Sequence, residues 1–173
     1  RASTTSDSVV WAWWDHGYAI NYWSKRSTMN DGGAAFDALR TVCNAVPFAN
    51  SNPRVSANFV AFFLKHGTAG IHMVAESTSG TLRQGMELLC QLLGAGPESV
   101  EVRSAFSRIA SSQRFPTIEE WEVFLFPPLE EPAYLFLDGQ LPFFVDSWFT
   151  MGSWGAGTAS TPDASCRMFY LLS

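Results

Sequence analysis

Positive charge is scarce in this chain. Eleven Lys and Arg stand against sixteen Asp and Glu, for a net charge of −5, and the longest basic run is Lys25-Arg26. Phosphate contacts need a basic footprint, so nucleic acid is excluded as a partner. An anionic membrane would not hold this surface by charge either. No apolar run reaches the roughly 20 residues of a membrane-spanning helix. The polar start, Arg1 to Asp7, is not a signal peptide. The missing initiator Met leads us to expect a fragment or a processed chain. Cysteine is scarce too: Cys43, Cys90 and Cys166 leave an odd thiol. The first two fall in apolar helical patterns, which favours buried free thiols over a disulfide. His16, His66 and His72 show no metal-ligand spacing with them. No Gly-x-Ser-x-Gly elbow exists, no internal repeat, and no Asn-x-Ser/Thr.

What is present is apolar and aromatic. At 173 residues the chain has the length of one domain with a sizeable core, and 47% hydrophobic against 16% charged residues excludes disorder. Seven Trp and fourteen Phe exceed what one modest core can pack, so some rings are expected at a binding surface. Val9 to Trp14 reads as a buried strand and Ala19 to Trp23 as a short apolar segment. Asp31-Gly32-Gly33 reads as a turn, with Asp31 able to cap the helix expected over Ala34–Val46. Pro47 to Pro53 reads as a loop. A second helix spans Ser56–His66 and stops at Gly67, where the charge of His66 would suit the helix end. Ile71 to Val74 looks like a strand. A third helix runs Thr81–Leu93 to Gly94, and a fourth from Pro97 toward Ala110. Thr117 to Glu120 forms a capping box for a short helix through Phe124, ended by Pro127 and Pro128. Tyr134 to Leu137 is a strand followed by an Asp138-Gly139 turn. A further helix from Pro142 to about Trp154, a loop over Gly152–Asp163 and a strand over Met168–Leu172 close the chain. The expected class is helix-rich mixed α/β, an α+β fold: a single globular domain with a small sheet flanked by several helices.

The densest chemistry lies in Trp13-Trp14-Asp15-His16-Gly17. Two adjacent indoles supply donors that cannot accept, the carboxylate accepts, and the glycine allows a turn that other residues resist. Such a pocket could grip a hydroxyl. Adjacent residues on a strand face opposite sides, so one core cannot take both rings. A short Asx-type turn at Asp15 is the plain alternative. Glu119, Glu120, Glu122, Glu130 and Glu131 read as a solvated helix face rather than paired catalytic acids.

The run from Val9 to Tyr18, continued by Tyr22, Ser24 and Asp31-Gly32, resembles the catalytic subunit of oligosaccharyltransferase, most closely the bacterial single-subunit enzymes. Their signature is Trp-Trp-Asp-Tyr-Gly, and here His16 stands at the Tyr position. A family pattern Met-x-x-Ile-x-x-x-(Ile, Val or Trp) is matched loosely by Leu141, Phe144 and Trp148 after the Tyr134–Leu137 strand. Positions i, i+3 and i+7 share one helix face; without the resemblance that stripe reads as core. The resemblance implies that residues 1–173 are a C-terminal soluble domain fragment, with the transmembrane part absent. It implies a location on the extracytoplasmic (periplasmic) face of the inner membrane. The family transfers a glycan from a polyprenyl-pyrophosphate carrier to Asn of Asn-x-Ser/Thr. Its partners are therefore the acceptor polypeptide, the lipid-linked oligosaccharide and the membrane. Trp13, Trp14 and Asp15, with Gly17, would bind the Ser/Thr hydroxyl. A hydroxyl bond to Asp15 would contribute about 1.5–3 kcal/mol, and Phe144 on a Thr methyl up to about 0.8 kcal/mol. No catalytic or metal-binding residue maps onto this chain. The divalent cation (Mg or Mn) is implied for the full-length enzyme, and the fragment alone is expected to be inactive.

Two other readings use the same residues. Exposed rings of Trp13, Trp14, Trp23 and Trp154 could form a carbohydrate-binding platform. Alternatively, the aromatics could serve a non-catalytic structural domain that docks on a membrane partner.

Overall fold

The computed structural model describes residues 7–31, 37–78, 80–109, 115–139, 141–144, 146 and 151–152. The fold is the helix-rich α+β class expected, with strands β1 (Val9–Trp11), β2 (Ser27–Thr28) and β3 (Ala133–Leu135) and helices α1 (Gly17–Ala19), α2 (Ala38–Ala49), α3 (Pro53–Ser77), α4 (Leu82–Ala95), α5 (Val100–Ile109) and α6 (Ile118–Leu125). Contacts divide the chain into two compact units, one holding the sheet and α2, the other α3 to α6.

In the first unit the three strands form a parallel sheet in the order β2-β1-β3. Val9 pairs with Ser27 and with Ala133, and Trp11 with Leu135. The ladder extends past β3, where Phe136 donates its N–H to the Trp11 carbonyl at 2.8 Å. Because the strands are parallel, the segments after β1, β2 and β3 leave the sheet at the same edge. The strand expected over Val9–Trp14 stops at Trp11. Ala12 and Trp13 turn inward, and Trp14–His16 form a tight 3-10 turn closed by His16 N–H to the Trp13 carbonyl at 3.0 Å. The chain runs on through α1 and a wide π-turn, Ile20–Ser24, which ends at Lys25 in the left-handed region.

Helix α2 is bonded to the end of β1. Its cap is Asp37, whose Oδ1 accepts from Arg40 N at 3.1 Å, and not Asp31 as the sequence suggested. The helix also passes through Pro47, which was expected to start a loop. Proline costs one helix bond there, and the helix ends two residues later at Ala49. Residues 32–36 lie outside the described residues. The polar pin of this unit is Asn44, fully buried on α2. Its Nδ2 donates to the Ala12 carbonyl at 2.9 Å, and its own carbonyl accepts from Trp11 Nε1 at 3.0 Å. Arg40 adds a bond from its guanidinium to the Met29 carbonyl at 2.6 Å.

In the second unit α3 and α4 form a close antiparallel pair. A Cβ on Gly85 would stand 2.7 Å from Ala75 Cα, and one on Gly94 2.9 Å from Val55 Cγ2. Helix α3 starts on Asn52, with Pro53 as its first residue. It continues beyond His66 through a kink at Gly67, whose φ of 58° suits glycine alone. Ile71–Val74 is therefore helix, not strand. Ile71 and Val74 are buried in the register of α3, and a short apolar run does not by itself distinguish the two periods. Helix α4 has a reciprocal cap between Thr81 and Gln84 and ends at Gly96 rather than Gly94. Helix α5 starts at Val100, after a turn at Pro97. Thr117 caps α6 by accepting from Glu120 N at 3.2 Å. The strand expected over Met168–Leu172 and Cys166 fall outside the described residues, and so does the loop expected over Gly152–Asp163 apart from Gly152, which is helical. Of the helix expected from Pro142 to about Trp154, Leu141–Phe144 form a tight 3-10 turn, and the other described residues, 146 and 151–152, are helical. Cys43 and Cys90 are free thiols, and burial pushes Cys90 up to about 12, which makes it a packing group rather than a nucleophile.

His66 packs against Phe62 and Phe124 at ring distances of 5.0 and 4.6 Å, with Nε2 bonded to the Phe124 carbonyl at 3.0 Å. It does not sit at a helix end carrying a favourable charge. Burial pulls its pKa below 6.5; the bond to Phe124 opposes that and the charge of Lys65 adds to it. The unfolded chain therefore takes up the proton first as pH falls. The contribution of His66 is complete above about pH 6.5 and is lost as pH drops through the folded value. Thermal unfolding should show a lower Tm at pH 5.5 than at pH 7.5, and His66→Gln should flatten that difference. A second expectation concerns the pin. Asn44→Ala leaves the buried Ala12 carbonyl unpaired and should cost about 1–3 kcal/mol in urea unfolding.

Candidate functional site

The Trp-Trp-Asp turn leaves the central strand at the carboxyl edge of the parallel sheet, where ligands of open α/β sheets bind. It is braced from three sides. Asn44 holds its entry at Ala12. Gly17 holds its exit against the segment after β2. His16 holds its apex to the segment after β3, with Nε2 3.0 Å from Asp138 Oδ2.

The structure separates the two indoles. Trp13 is 3% exposed and packs against Phe48, with ring centroids 6.4 Å apart and planes 85° apart. Trp14 is half-buried and lies against Trp13 at 6.4 Å with planes 54° apart. The inward and outward division that strand alternation suggested is thus achieved by the 3-10 turn instead. Among the described residues neither indole N–H has a hydrogen-bond partner. Asp15 is exposed, and its carboxylate has no hydrogen-bond or ion-pair partner among the described residues. The Asx-type turn that could have explained Asp15 is therefore not formed. The turn thus carries an acceptor at Asp15 and, on the two preceding residues, donors, none of them with a partner among the described residues.

Gly17 serves a different purpose from the one its sequence suggested. Its φ and ψ, −54° and −48°, are ordinary right-handed helix. What needs glycine is close approach. A Cβ would run into the Asn30 carbonyl oxygen and stand 2.6 Å from Asp31 Cα. Asn30 itself is 2% exposed with neither side-chain polar atom bonded, an open amide behind the motif.

The second group of expected site residues is only partly described. Leu141 is 4% exposed and begins the turn after β3. Phe144 closes that turn; its side chain lies outside the described residues, and so does Trp148. Two contributors were missed. Asp138 read only as a turn residue, and nothing in its spacing marked it as the partner of His16. Asn44 carried a usable signal: an amide set among Val42, Cys43 and Val46 is out of place in an apolar pattern. Among the described residues no three His, Cys, Asp or Glu side chains come together to hold a metal ion. No helix among them is long and apolar enough to cross a membrane.

Gly17→Ala should therefore act through displacement of the Asn30–Asp31 backbone, not through torsion. We expect a loss of about 1–3 kcal/mol, as for overpacking, measured by denaturant unfolding, with changed Trp fluorescence in the folded state.

Comparison with known proteins bears on the same residues. No curated protein matches the sequence. The crystal structure of the C. jejuni PglB C-terminal domain is similar at a TM-score of 0.44 and 14% identity, over 86% of this chain and 48% of that one. The chain thus spans about half the length of that solved domain. The STT3/PglB/AglB core domain matches residues 6–88, the stretch that holds the motif, both of its flanking strands β1 and β2, and helices α2 and α3. Over those residues the chain is similar to that core domain.

Proposed function

We propose that this chain is the acceptor-recognising part of an oligosaccharyltransferase. The complete protein transfers a glycan from a polyprenyl-pyrophosphate carrier to the Asn of Asn-x-Ser/Thr, on the extracytoplasmic face of the membrane. Asp15 accepts the hydrogen bond of the Ser/Thr hydroxyl, and the indole N–H groups of Trp14 and Trp13 donate toward its oxygen. One observation supports this above the others: the Asp15 carboxylate is exposed and unpartnered among the described residues, on a turn that its neighbours hold rigid. A turn fixed in advance loses little freedom on binding, and a bound hydroxyl two residues along holds the acceptor Asn near the donor sugar.

Trp13 is almost fully buried, which leaves no ring face open to stack on a sugar. The same burial disfavours the carbohydrate platform, since one of its four rings is 3% exposed. The Thr methyl is assigned to the segment from Leu141 through Phe144 to Trp148. The divalent cation, Mg or Mn, is assigned to residues elsewhere in the complete protein. The chemistry of transfer belongs there too; the present residues bind and orient.

The test uses the complete protein with an Asn-x-Thr peptide. Asp15→Ala should lower kcat/KM by about 10- to 150-fold, the equivalent of about 1.5–3 kcal/mol for a lost charge-assisted bond. Tm should hold, because surface changes away from structural bonds stay within about 0.5 kcal/mol. Transfer at the unaltered rate would overturn the role of Asp15.

A further inference from the structure

We propose that Asp138 is a positioning residue for acceptor binding, acting through His16 on the turn that carries Asp15. The proposal rests on the hydroxyl-binding role of Asp15 given above. Asp138 follows β3, and His16 follows β1. The parallel pairing of Trp11 with Leu135 brings the two segments out side by side. Asp138 uses both oxygens: Oδ2 meets His16 Nε2 at 3.0 Å, and Oδ1 accepts from Leu141 N at 2.9 Å. A carboxylate held at both oxygens cannot swing. The His16 ring is fixed further by the edge of Phe136 at 5.6 Å. The two side chains are 25% and 20% exposed, so water screens the pair less than a fully exposed one.

Asp15 has no partner of its own among the described residues, so its carboxylate is placed by its neighbours in the turn. His16 is the next residue and the one tied outward. Through the same carboxylate the motif turn is tied to the turn that begins at Leu141. One side chain thereby joins the two segments to which the proposed hydroxyl and methyl contacts were assigned. A structural brace alone would change stability. A positioning residue changes acceptor affinity.

Four variants of the complete protein separate these. His16→Ala should raise KM for an Asn-x-Thr peptide about two- to fivefold, the range of a partly exposed ion pair, with kcat and Tm nearly constant. His16→Gln, which still donates to Asp138, should restore most of the KM. Asp138→Ala should raise KM at least as much, and the double variant no further, since the two act as one unit. Unchanged KM in His16→Ala, additive effects in the double variant, or a fall in kcat with Tm and no rescue by Gln would each overturn the proposal. Asp15→Ala run in parallel tells the two failures apart. If it lowers kcat/KM as expected while His16→Ala is silent, only the positioning role falls. If it too is silent, the hydroxyl site itself falls.

Discussion

The motif turn depends on a reciprocal pair of bonds between a strand end and a helix. Asn44 of α2 donates to Ala12 and accepts from Trp11 in the dry interior of the first unit. A tight turn leaving the central strand exposes main-chain groups that the sheet no longer satisfies. Burying them unpaired would be costly. Asn44 meets that demand at the residue where β1 gives way to the turn, and so it fixes where the strand ends. The separation of Trp13 from Trp14 follows from that termination. Three further contacts set the rest of the turn: Arg40 on Met29, Gly17 on Asn30, and His16 on Asp138.

The sheet explains why these contacts converge. With β1 between two parallel partners, the chain leaves all three strands at one edge. Three segments distant in sequence meet there without any long-range signal in composition. The turn after β1 carries the Trp-Trp-Asp motif, and the segments after β2 and β3 meet it at Gly17 and His16.

Much of this was legible in the sequence, and the exceptions have physical causes. Helices with strong stripes and capping residues were placed correctly, as at Thr81 and Thr117, because both signals are local. Ile71–Val74 misled because a buried four-residue stretch satisfies either period, and only its packing within α3 decides. Pro47 misled because a proline near a helix end costs one bond, which the burial of Ala45, Val46 and Phe48 beside it offsets. At the site, Trp13, Trp14 and Asp15 were visible as residue types, but their division between interior and surface was not. Asp138 was illegible, since pairing across β1 and β3 leaves no trace in spacing.

Gly17 shows what kind of constraint surrounds the motif. Its torsions are ordinary, so the backbone itself would accept any residue. The obstacle is the main chain of Asn30 and Asp31, not a side chain that another mutation could trim. No single second-site replacement could open room for a larger residue there. A suppressor of such a change would have to re-route the segment that carries Asn30 and Asp31.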